Sequence, residues 1–175
     1  MDWYDTVFEL IDMRSFSNLW YWIALAVVWS SASHWVLGVP FDMVQRAKRQ
    51  GGQAEIDLMD MTRVNVNRIL YINSISGLWI LGVVCCLLTL LFGLGFFYDV
   101  EFCQAVFLLA FPMSLVGLLS VRTAHILRRD NPDLAGMTRT MNRHRFFTQV
   151  IGMFAIFSTA LWGMWQNLAV GALGG

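Results

Sequence analysis

Four apolar blocks, each long enough to cross a bilayer, leave this chain few folds to choose from. A helix needs about 20 residues, at about 1.5 Å rise each, to span the hydrocarbon core. The blocks run from Leu19 to Val39, Ile69 to Tyr98, Phe102 to Val121 and Phe146 to Val170, and none holds a Lys, Arg, Asp or Glu in its centre. Backbone polar groups must satisfy one another in lipid, so such blocks are read as helices; a barrel would show short alternating segments instead. The expected fold is all-α, an integral membrane four-helix bundle over residues 19–175 with spans at about 19–39, 69–98, 102–121 and 146–170.

Composition agrees. The chain is 57% hydrophobic and 14% charged, where a soluble domain carries roughly a quarter charged residues. Its 12 basic and 12 acidic residues cancel, so bulk attraction to nucleic acid is unsupported and no nucleic-acid partner is expected. The first residues are acidic (Asp2, Asp5, Glu9, Asp12) where a secretory leader would be basic.

The basic residues fix a sidedness. Arg46, Lys48, Arg49, Arg63 and Arg68 lie between the first two blocks, and Arg122, Arg128, Arg129, Arg139, Arg143 and Arg145 between the last two. Only Arg14 lies elsewhere. Loops rich in Lys and Arg stay in the cytoplasm. The reading is a multi-pass membrane protein, with both long loops cytoplasmic and both termini outside. Trp20, Tyr21, Trp22, Phe96, Phe97, Tyr98, Trp162 and Trp165 would form the outer aromatic belt.

Three further segments read as helical. In residues 1–18, Trp3, Tyr4, Val7, Phe8 and Ile11 share one face and the acids the other, as in an amphipathic helix lying in the outer interface. Phe41 to Gln50 and Ala54 to Arg68 make the first loop a helical hairpin broken at Gly51-Gly52. In the second loop, Asn131-Pro132-Asp133 reads as a helix start with Asn131 as cap. Each loop carries D-L-x-x-M-T-R, at Asp57 to Arg63 and Asp133 to Arg139. The repetition suggests two copies of a span–hairpin–span unit.

Chemistry is sparse. His34, His125 and His144 lie at different depths without metal-ligand spacing, so neither metal nor cofactor is expected. Cys85 and Cys86 sit mid-span as packing thiols; Cys103, near an outer end, is the one with access to an oxidant. Ala26 and Ser30, and Ala155, Thr159 and Gly163, recur at four-residue spacing and read as helix-packing positions. Arg46, Lys48, Arg49, Arg63, Arg68, Arg128, Arg129, Arg139, Arg143 and Arg145 read as contacts for anionic lipid headgroups or a protein partner. The spans lack the ionisable groups that coupled pumps carry.

Trp3 to Ile23 (W-Y-D-T-V-F-E-L-I-D-M-R-S-F-S-N-L-W-Y-W-I), Ser33 to Val44 (S-H-W-V-L-G-V-P-F-D-M-V) and Ala105 to Leu118 resemble an uncharacterised four-span membrane family of alphaproteobacteria. Its members are labelled as a component of the Suf complex that assembles iron–sulfur clusters. The resemblance implies a multi-pass protein of a bacterial inner (plasma) membrane, its termini and the helix over residues 1–18 periplasmic, with a cytosolic partner at the arginine-rich loops, and it carries no catalytic residues. The functional expectation is a non-enzymatic accessory or scaffold protein whose hairpins dock a partner complex, with Suf machinery the partner implied. The alternative is a homo-oligomeric channel or transporter, and behind it a redox or haem protein.

Overall fold

Good helix formers fill both long loops, so the helices run through them rather than stopping at the apolar blocks. A computed structural model describes residue 16 and residues 19–173, with side chains as far as residue 168. Its elements are α1 (Leu19–His34), β1 (Trp35–Val36), β2 (Val39–Pro40), α2 (Phe41–Gln50), α3 (Gln53–Phe96), α4 (Glu101–Asp130) and α5 (Leu134–Leu173). The helix expected over residues 1–18 lies outside the described residues, apart from Phe16.

Helix α3 has 44 residues and extends about 66 Å, more than twice a hydrocarbon core of about 30 Å. Helices α4 and α5 have 30 and 40 residues, about 45 and 60 Å. All three are long and apolar enough to cross a membrane. Each overshoots it, and the surplus lies at the end that carries the basic residues, called here the loop end.

The first apolar block divides. Helix α1 closes at His34 rather than Val39, after 16 residues. Trp35 to Pro40 then forms an antiparallel hairpin, Trp35 opposite Pro40 and Val36 opposite Val39. Its turn residues Leu37 and Gly38 have φ of 54° and 77°, the pairing of signs that matches strand twist in a two-residue hairpin. Leucine is strained there, and burial of its side chain holds it. From the other side, Asn65 Nδ2 of α3 donates to the Gly38 carbonyl at 3.3 Å.

This hairpin fills a core. Val36, Leu37 and Val39 pack with Val44 and Ala47 of α2, Leu58 and Val66 of α3, Ala124 and Leu127 of α4, and Met137 and Met141 of α5. The two loops are therefore one packed unit, with the exposed face of α2 carrying Arg46, Lys48 and Arg49. A second core lies deeper in the apolar zone, where Leu25 and Trp29 of α1 meet Val116 of α4 and Ala155 of α5. Gly152 admits the indole: a Cβ there would come within 2.7 Å of the Trp29 ring. Small residues allow such close approach.

Helix α3 stands at the edge. It packs chiefly along α4, and none of its most apolar eighteen-residue stretch is buried. The apolar zone is thus a packed trio, α1, α4 and α5, with α3 laid against α4.

At the end away from the loops, Gln104 ties the helices together. It is fully buried. Its Nε2 donates to Gly95 O at 2.8 Å and Asp99 Oδ1 at 3.3 Å. Its Oε1 accepts from Trp162 Nε1 at 2.9 Å and Gln166 Nε2 at 2.7 Å. Two donor hydrogens and two lone pairs are the full capacity of an amide side chain. Gly95 is needed for the approach, since a Cβ there would lie 2.9 Å from the Gln104 backbone nitrogen. Nearby, Phe16 N–H donates to Glu101 Oε1 at 2.7 Å, and the Tyr21 hydroxyl to Ala105 O at 3.1 Å.

The turn from α4 to α5 differs from the sequence reading. Asn131 ends α4 in the left-handed region, φ 36° and ψ 57°, a conformation asparagine tolerates. Asp133 is the cap of α5, its Oδ1 accepting from Gly136 N–H at 2.9 Å. The two D-L-x-x-M-T-R segments consequently differ in place: Asp133 precedes its helix, whereas Asp57 lies inside α3. Both send their threonine, Thr62 and Thr138, into the interior.

Candidate functional site

The loop-end unit has a groove where its two hairpins meet. Helix α3 supplies Met59, Asp60, Thr62, Arg63, Val66 and Asn67 to one wall. Leu127, Arg128 and Asn131 of the α4 end, with Pro132 and Met137, form the other. The volume is about 540 Å³. Its residues divide by chemistry: Met59, Val66, Leu127 and Met137 are apolar, while Asp60, Arg63, Asn67 and Arg128 are polar and exposed.

Contacts among the polar residues are light. Arg63 Nη2 lies 3.0 Å from Asp60 Oδ1, with both side chains largely exposed, so the pair is held by less than about 1 kcal/mol. Arg128 Nη1 donates to Asn67 Oδ1 and joins the walls. Thr62 is the anomaly. Its buried Oγ1 has no hydrogen-bond partner among the described residues. Its counterpart Thr138 donates to Leu134 O at 2.7 Å, the usual outlet for a helical threonine.

The sequence-selected cations fall into two groups. Arg46, Lys48, Arg49, Arg68, Arg139 and Arg143 are exposed and make no ion pair among the described residues. Arg129 lies 4.0 Å from Asp130. Arg145 has an internal role instead. Its Nε donates to Ser33 O at 3.1 Å, and its guanidinium sits 3.9 Å from the Phe41 ring centroid. That bond satisfies a carbonyl in the last turn of α1, which would otherwise lack a helical partner.

The packing residues divide as well. Ala155, Thr159 and Gly163 face inward, and Gly163 lies against Phe16. Ala26 and Ser30 are exposed, because α1 turns Leu25 and Trp29 to its neighbours instead. Cys103, expected to be open to an oxidant, is buried, while Cys85 and Cys86 are exposed along α3. His34 and His125 are exposed; His144 is buried, its Nδ1 3.1 Å from Thr123 Oγ1. Among the described residues no group of three or more His, Cys, Asp or Glu is placed to hold a metal ion.

Sequence reasoning missed the groove and Gln104. The groove depends on α3 and α5 supplying Thr62 and Met137 to one lining, which no local pattern encodes. Gln104 did leave a signal, a lone amide in an apolar block, matched by Trp162 and Gln166 four residues apart in another. Comparisons with protein-family models, with curated proteins and with solved structures find no match.

Proposed function

We propose that this chain is a non-catalytic membrane accessory or scaffold protein that docks a cytosolic complex on its arginine-rich unit. In this reading α1 is a fourth span, since it shares the deeper core with α4 and α5, and both termini are periplasmic. The loop end then faces the cytoplasm, as its basic residues require. The observation that carries the proposal is the packed unit itself. Loops that served topology alone would need no shared core, yet these bury Val39, Leu58, Ala124 and Met141 completely. Such a core holds the groove and the unpaired cations in fixed relative positions, and preorganisation of this kind lowers the entropic cost of binding.

The chemistry of the unit describes its partner: an acidic surface bearing an apolar side chain that enters between Met59 and Met137. The sequence resemblance makes the Suf iron–sulfur assembly complex the first partner to test. The two D-L-x-x-M-T-R segments fit a duplicated unit whose first copy gained the Trp35–Pro40 hairpin and α2.

The test uses the full chain in detergent against purified Suf complex. Wild-type protein should retain the complex at a fixed stoichiometry. Reversing Arg46, Lys48 and Arg49 to glutamate should weaken retention at least tenfold, about 1.4 kcal/mol, and added salt should weaken wild-type binding in the same direction. Absence of retention, or retention indifferent to the three reversals, would contradict docking of this complex through these residues.

A further inference from the structure

We propose that the cleft between α3 and α4 is a binding site for one anionic phospholipid of the cytoplasmic leaflet. This rests on the membrane-spanning reading above, but not on the partner reading.

The cleft is a groove of about 480 Å³. Along α3 it runs from Ile69 to Leu88, and its α4 wall from Phe111 to Val121, so the two-walled part is about 15 Å long, the depth of one leaflet of a hydrocarbon core of about 30 Å. Its lining is almost wholly apolar, and Gly117 opens one wall: a Cβ on Gly117 would meet nothing within 4 Å. An extended acyl chain suits this shape, and at this depth no other small apolar ligand is as abundant.

Two features mark the loop-end mouth as built for a headgroup. Arg68 lies one helical turn before Ile72 on α3, and Arg122 one turn after Leu118 on α4, so each continues a groove-lining stripe. Both are exposed and without an ion pair among the described residues. The register of α3 on α4 is fixed by Arg128 on Asn67 at one end and Gln104 on Gly95 at the other. That register sets Arg122 near the level of Asn73. Asn73 itself lines the groove, and its amide makes no hydrogen bond among the described residues. An amide at the depth where acyl chains meet glycerol can bond an ester carbonyl, while the guanidiniums of Arg122 at its level and Arg68 above it reach the phosphate. Basic pockets between helices on the cytoplasmic side recognise anionic headgroups in this way.

The test measures lipid retention by native mass spectrometry after purification from vesicles of phosphatidylglycerol and phosphatidylcholine in equal amounts. Wild-type protein should keep one phosphatidylglycerol per chain, at least tenfold over phosphatidylcholine, and millimolar inorganic phosphate should not displace it. Arg68→Gln with Arg122→Gln should abolish the preference. Gly117→Phe, which fills open space and improves helix propensity, should abolish retention while circular dichroism stays unchanged. Equal retention of the two lipids, release by inorganic phosphate, or variants that retain lipid as wild type does would overturn the proposal. So would a Gly117→Phe variant that converts a dimer to a monomer, since the cleft would then hold a second copy. Release of the chain from membranes by alkaline carbonate would instead refute the membrane-spanning reading on which the proposal rests.

Discussion

Leu58→Ala is expected to destabilise the loop-end unit by about 3 kcal/mol, within the 2–5 kcal/mol typical of a large-to-small change in a core. Leu58 is completely buried among residues from the hairpin, α2, α4 and α5, so the cavity would open where five elements meet. Helix α2, with ten residues, is too short to persist alone in water and should detach first. The consequence is readable by proteolysis, because Arg46, Lys48 and Arg49 are tryptic sites protected by helical structure. Cleavage that samples a locally open state follows its population, so about 3 kcal/mol should accelerate it on the order of a hundredfold. Unchanged cleavage at these sites would show that the loops do not depend on a common core.

Gln104→Leu should cost about 2–3 kcal/mol of stability in detergent. The substitution keeps the volume but strands the Gly95 carbonyl, the Trp162 indole N–H and the Gln166 amide, each now bonded to Gln104. Hydrogen bonds between membrane helices average about 0.6 kcal/mol, and the three that Gln104 makes to Gly95, Trp162 and Gln166 set the lower end of that range. The penalty for leaving buried partners unsatisfied sets the upper. Asn73→Leu is the comparison: it removes an amide that bonds no described residue, so the unfolding midpoint should not fall. Equal effects of the two substitutions would mean that the Gln104 contacts do not hold α3, α4 and α5 together.

The three long helices were legible because length and apolarity are one-dimensional properties, readable wherever no charge interrupts a block. Helical loops were legible too, from the helix formers between Gln53 and Arg68. The hairpin was hidden by its composition. Trp35 to Val39 continues the apolar run of α1, and Leu37 occupies a turn position where Gly, Asn or Asp would have announced a turn. Asn131 misled for a related reason, since asparagine can cap a helix start or end a helix in the left-handed region, and here Asp133 takes the first task.

The candidate site was legible as a charge distribution but not as a surface. Counting bases put Arg46, Lys48, Arg49, Arg63, Arg128 and Arg145 on one side. It could not tell that Arg145 is committed to Ser33 and Phe41, or that Arg63 and Arg128 border one groove. Exposure of Cys103, Ala26 and Ser30 depends on how each helix is rotated about its axis. Tertiary packing sets that rotation, and the apolar periodicity of a lipid-facing helix carries little record of it.

In the orientation proposed above, both basic loops form one cytoplasmic unit, opposite the turn that carries Asp99. Site-specific labelling addresses it directly, in a background where Cys85, Cys86 and Cys103 are replaced by alanine. A membrane-impermeant maleimide applied to intact spheroplasts should label Asp99→Cys and leave Arg49→Cys and Arg129→Cys untouched until the membrane is permeabilised. Labelling of Arg49→Cys or Arg129→Cys from outside, or of the two from opposite sides, would contradict it.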